Sequence, residues 1–176
     1  MTDQIRLLED SFAKVKPNAM AFSNCFHQHL FAKHPDIEPL FGDLSLELME
    51  KKLVASLALI VENLHNPDAL GHALQGLGAY HVTKGTMAEH YPYVGQALLE
   101  AFEDFLGSDW TPEVAQAWMG AYRTISDIMQ QGAAHSEDLL DGELTFYEWL
   151  DLYGESSPTL RKLVESTTHF KYGTQE

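Results

Sequence analysis

The chain has 176 residues, 45% of them hydrophobic, and a formal net charge of −15 from 11 Lys and Arg against 26 Asp and Glu. That length suits one domain plus an appendage, and the acidity argues against nucleic acid or an anionic membrane as partner. The single cysteine excludes an internal disulfide and a thiolate cluster, and neither a bilayer-spanning apolar run nor an export signal is seen, so a cytoplasmic location is expected.

Helical periodicity dominates, prolines mark borders, and no run alternates convincingly as a strand. A first helix is expected from Thr2 to Val15, with Ile5, Leu8, Phe12 and Val15 inward and Pro17 ending it. A second covers about Asn18 to Lys33, facing the core with Ala19, Phe22, Phe26 and Leu30. Cys25, between Phe22 and Phe26, reads as a buried, inert thiol. His34-Pro35 breaks this helix, because a residue before proline is driven out of helical backbone geometry. Asp36 to Phe41 forms a short helical turn, and Gly42-Asp43 a corner.

A long helix follows from Ser45 to Leu64, with Leu46, Met49, Leu53, Leu57, Ile60 and Leu64 inward. Asn66-Pro67 is a cap followed by proline at the first helical position, a start signal repeated by Thr111-Pro112. The helix from Pro67 carries Leu70, Leu74, Leu77 and then His81 on one stripe. Tyr91-Pro92 opens the next, with Val94, Leu98, Phe102 and Phe105 inside and its end near Gly107. The last buries Val114, Trp118, Ala121, Ile125 and Met129 before Gly132. The expectation is an all-α domain of seven or eight helices.

His81 is the residue with most chemistry. An imidazole closing an apolar helical stripe has few structural reasons to be there, and haem iron commonly takes one proximal histidine. The order of motifs around it, Leu30-Phe31-Ala32-Lys33-His34-Pro35 with Pro39-Leu40-Phe41, then His81-Val82 with His90-Tyr91-Pro92-Tyr93-Val94-Gly95-Gln96-Ala97-Leu98-Leu99, resembles a globin. It is similar to bacterial single-domain haemoglobins, flavohaemoglobin globin domains and neuroglobin-like chains, over about residues 3 to 133.

The resemblance implies a three-on-three helical sandwich at residues 1–133 holding haem. His81 then corresponds to the proximal iron ligand and Phe41 to the aromatic residue wedged against the porphyrin. Leu77 lies under the proximal face and Val94 closes that side. With one cysteine the c-type attachment pattern is impossible, so the cofactor is expected to be haem b. O2, NO or CO is the expected ligand.

On the distal side the resemblance aligns Met49 with the usual His or Gln, at the family's interval of 32 residues before His81, and Leu53 one turn on. Met49 has no hydrogen to donate to a bound gas. The tyrosine or phenylalanine of the second helix is His27 here. Three readings stand: His27 donates an N–H to the ligand, the favoured one; Met49 or His27 binds iron directly; or Lys52 does so with a pKa lowered by burial, against the commoner role beside a propionate. Tyr91 matches the tyrosine of a proximal Glu–Tyr network, whose glutamate position is Ala133, so the basicity-raising carboxylate is missing.

No Gly-rich dinucleotide fingerprint is present, so electrons are expected from a separate reductase where needed. Reversible gas binding is the leading expectation. A gas or redox sensor and an NO dioxygenase are the rivals, which leaves enzymatic activity open. Residues 134–176 pair an acidic linker (Glu137, Asp138, Asp141, Glu143) with Phe146, Tyr147, Trp149 and Tyr153. They read as a terminal helical segment that thickens the core, or as an arm for homodimerisation or for docking an output partner.

Overall fold

The computed structural model describes residues 2–42 and 44–136, and every regular element in them is helical. Six α-helices run in order: α1 Thr2–Val15, α2 Ala19–Lys33, α3 Leu46–Glu62, α4 Pro67–Thr83, α5 His90–Leu106 and α6 Pro112–Ala134. Of three 3-10 turns, Pro35–Phe41 is the short helical turn expected there, and Lys16–Asn18 and Gly107–Asp109 are additional. Most of the tail, residues 137–176, lies outside the described residues, and so do the roles proposed for it.

The helix starts follow from local chemistry. Ser45, Asn66 and Thr111 accept from the backbone N–H of Leu48, Ala69 and Val114 at 3.3, 3.4 and 3.4 Å, satisfying donors that the first turn leaves orphaned. At the other end of α5, Gly107 takes φ 51°, a left-handed value that glycine adopts without a side-chain penalty. The last helix runs through Gly132 to Ala134 instead of stopping short of it. The reason is packing: Gly132 lies against α4.

Two apolar clusters form. One joins α1, α2, α5 and α6 around Phe22, Leu30, Phe102 and Trp118. Phe22 meets Phe102 at 4.7 Å between ring centroids, and Phe102 stacks on Trp118 at 4.0 Å. Such pairs add about 0.5–1.5 kcal/mol each beyond area burial. The buried Trp118 Nε1 donates to Ser11 Oγ at 2.8 Å, and Ser11 Oγ donates on to the Leu7 carbonyl at 2.6 Å. The second cluster gathers Leu59 and Ile60 of α3, Leu74 and Leu77 of α4, Tyr91 of α5 and Met129 of α6.

Helices α4 and α6 approach until backbone meets backbone. A Cβ on Gly78 would overlap the carbonyl of Met129, and one on Gly132 would overlap that of Gln75. These reciprocal glycines clamp the helix that carries His81. Several residues expected inward are less buried than the core, and two of them are exposed. Leu46 (46% exposed) and Phe105 (36%) sit at helix ends that overhang the core, and Ile5 is half-buried. Phe105 still sets its ring edge-on to Phe22 at 5.6 Å, covering the core from outside.

Candidate haem site

Late on α4, beyond Gly78, His81 points its Nδ1 at the Leu77 carbonyl one turn earlier, 2.7 Å away. A carbonyl only accepts, so Nδ1 carries the hydrogen and Nε2 is left with a lone pair. Desolvation lowers the His81 pKa, with the nearby Lys52 charge acting in the same direction, while the Leu77 hydrogen bond opposes it. Yet the residue is only half-buried.

Helix α2 delivers His27, which is 2% exposed. Its Nδ1 lies 2.7 Å from the Ser23 carbonyl, the same one-turn-back bond. Burial pushes its pKa down, against smaller raising effects of that bond and of Glu50. Aromatic rings surround the imidazole: Phe26 at 4.9 Å, Phe31 at 5.7 Å and Phe41 at 5.7 Å, with Phe31 and Phe41 edge-on at 5.2 Å. His27 and Phe41, singled out separately in sequence, are therefore neighbours, and His27 is no surface residue.

Helix α3 presents Met49, Lys52 and Leu53, all half-buried. Lys52 Nζ donates to Tyr80 Oη at 3.4 Å and lies 5.8 Å from that ring's centre. Burial and the neighbouring Lys84 charge lower its pKa. Lys84 Nζ approaches the same ring at 5.5 Å, and the Tyr80 ring is edge-on to His81 at 5.8 Å. Lys52, Tyr80, His81 and Lys84 thus form a second group.

The remaining candidate residues fall in both apolar clusters. Phe41, Leu53 and Val94 pack on the first, and Leu77 and Tyr91 belong to the second. Burial raises the Tyr91 pKa, and its Oη is buried with no hydrogen-bond partner. Tyr122 Oη donates to the Tyr91 carbonyl at 2.6 Å, fixing the start of α5 beside α6.

Sequence reasoning did not single out Ser23, Tyr80 or Lys84. Ser23 had a detectable signal, since it precedes His27 by the same four residues that separate Leu77 from His81. Tyr80 and Lys84 flank His81 on α4 and its cap, but nothing in a one-dimensional pattern marks them.

A globin family profile matches residues 24–129, well over half the chain. The chain is 28% identical over 129 residues to a flavohemoprotein of Deinococcus radiodurans and 29% identical over 137 residues to one of Rhodopirellula baltica. These alignments cover 72% and 76% of the chain but only 32% and 34% of the relatives, so the chain spans about a third of their length.

Among solved structures, a Rhodothermus marinus protein assigned as a nitric oxide dioxygenase and engineered as a carbene transferase is similar. It superposes with a TM-score of 0.70 at 27% identity, covering 81% of this chain and 99% of that one. A bacterial globin of Campylobacter jejuni superposes with a TM-score of 0.68 at 22% identity, covering 78% and 99%, a likeness of fold. The six helices have the globin fold, and the chain belongs to the globin family.

Proposed function

We propose that this globin holds one haem b through His81 and reversibly binds a diatomic gas, O2 with NO or CO as alternatives. The observation that carries the reading is the state of His81: its Nδ1–H is committed to the Leu77 carbonyl, and its Nε2 lone pair is the form iron takes. The surroundings fit a flat apolar macrocycle, since Phe41, Leu53, Leu77 and Val94 offer apolar walls. Lys52 and Lys84, around Tyr80, would meet its carboxylates. When bound, a haem would supply the iron at which the gas is taken up. Helix α4, clamped by Gly78 and Gly132, fixes where His81 stands.

The distal assignment changes in emphasis. Donation from His27 to a gas needs a hydrogen on Nε2, but Ser23 already holds the ring's hydrogen at Nδ1 and burial keeps the ring neutral. With this tautomer His27 presents a lone pair, which favours direct closure of the site by His27 over the donor role. Met49 and Lys52 stay as lining residues of α3.

The proximal side supports binding over peroxidase-like chemistry. His81 passes its Nδ1–H to a neutral carbonyl, that of Leu77, and Tyr91 Oη lacks the carboxylate that the resemblance places at Ala133. NO dioxygenation with electrons from a separate reductase is the second reading, favoured by the similarity to the Rhodothermus marinus protein. A cytoplasmic location accompanies both, supported by the single cysteine.

Visible spectra of the ferric, dithionite-reduced and CO-treated protein test the proposal. The parent should show a haem Soret band, and His81→Ala should lose histidine ligation and regain it with added imidazole. A folded His81→Ala protein with full haem content and unaltered axial ligation would sink the assignment.

A further inference from the structure

The outer face between α2 and α5 carries a second chemical cluster, which the sequence had not suggested. Cys25 is half-exposed, not buried as expected, and shares its face of α2 with His29 one turn on. Glu100 and Asp104 have the same spacing on α5 and face them. Cys25 Sγ donates to Asp104 Oδ2 at 3.6 Å, and His29 Nε2 donates to the same oxygen at 2.8 Å. A ligand atom from each of Cys25, His29 and Asp104 lies within 4.8 Å of the others.

The geometry points to a divalent-cation site, with Zn2+ the ion that this sulfur, nitrogen and oxygen set suits. Cys25 Sγ, His29 Nε2 and Asp104 Oδ2 are the three ligands, and water completes a tetrahedron. Binding releases the Cys25 thiol proton to solvent and moves the single ring hydrogen of neutral His29 from Nε2 to Nδ1, leaving the thiolate and the Nε2 lone pair to the metal.

Glu100 is the reason to prefer a site over a chance cluster. Metal-bound histidines generally pass their other ring N–H to a carboxylate, and Glu100 Oε2 lies 3.4 Å from His29 Nδ1. That oxygen is buried and makes no hydrogen bond, although its partner Oε1 is held by Lys33 and by Gln96 Nε2 at 3.0 Å. A hydrogen on His29 Nδ1, as the metal-bound form requires, would give it the missing donor. This cluster is separate from the haem-site residues, none of which it uses.

Because Cys25 is the only cysteine, its alkylation rate reads the site directly. The full-length, haem-loaded protein is labelled with iodoacetamide, with and without one equivalent of Zn2+, and labelling is followed by mass spectrometry. Zn2+ should slow labelling of Cys25 tenfold or more, with Mg2+ without effect. The protection should vanish in His29→Ala and need at least tenfold more Zn2+ in Glu100→Gln. An unchanged haem spectrum shows that each variant is folded. Labelling indifferent to Zn2+, or protection that persists in His29→Ala, overturns the proposal.

Discussion

Replacing Gly78 by alanine tests the clamp that positions His81. Alanine in a helix interior is favoured over glycine by about 1 kcal/mol. At Gly78 the added Cβ meets the Cα, carbonyl carbon and carbonyl oxygen of Met129, backbone atoms with no rotamer to escape into. Normal contact needs about 3.5–4 Å, so α4 and α6 must part, loosening Leu74, Leu77 and Met129. Overpacking of this kind costs about 1–3 kcal/mol, and an overlap with rigid backbone belongs at the upper end. The net loss is about 2 kcal/mol, roughly 4–8 °C in Tm for a chain of this size.

Gly71 is the control: it lies on the same helix with open space where its Cβ would stand. Gly71→Ala should therefore stabilise, by up to about 1 kcal/mol. Urea unfolding of the haem-loaded proteins measures both, and haem transfer to an apoglobin acceptor should be several-fold faster from Gly78→Ala, because His81 moves with its helix. If Gly78→Ala is as stable as the parent, or shifts with Gly71→Ala in the same direction, the clamp has been misread.

Ser11→Ala leaves the buried Trp118 Nε1 without an acceptor, and an unsatisfied buried donor costs about 1–3 kcal/mol. Urea denaturation measures it, and a loss below about 0.5 kcal/mol means another acceptor takes over. His27→Leu removes the distal lone pair, so the ferric and ferrous spectra should become those of five-coordinate iron or show water in its place; an unaltered spectrum would remove His27 from the iron. Burial holds the Tyr122 hydroxyl well above the ordinary tyrosine pKa. A folded pKa raised above the unfolded one gives stability that is complete below the unfolded value, about 10, and declines as pH climbs past it. Thermal melts across roughly pH 8 to 11 should show that decline, and Tyr122→Phe should flatten it. An equal decline in both proteins would assign it elsewhere.

The helix borders were legible because they depend on local chemistry: Ser45, Asn66 and Thr111 cap as their side chains dictate, and Pro35 stops α2 wherever that helix is placed. Inward faces followed from periodicity, except at ends such as Leu46, where the stripe continues past the helix it packs on. What periodicity cannot supply is the opposing surface. Gly78 and Gly132 read in sequence only as weak points of a helix, and their use appears when α4 and α6 are laid together. Cys25 read as buried because its neighbours Phe22 and Phe26 are, while the carboxylate that meets its sulfur comes from α5, 79 residues away.

The histidines show where this boundary falls within the site. His135, like His27 and His81, points its Nδ1 at the carbonyl four residues back, at 2.9 Å. That bond is a local contact open to a helical histidine, and it fixes a tautomer without assigning a task. His135 is exposed, so water competes for its ring and the preference has little consequence. At the buried His27 the surrounding protein excludes that competition, and at the half-buried His81 it reduces it, so the lone pair on Nε2 is the better-defined feature. Burial converts a common backbone contact into a candidate iron ligand. Burial is also the quantity that a single sequence reports least directly: the apolar stripe that leads to His81 is visible in one dimension, and the rings that enclose His27 are not.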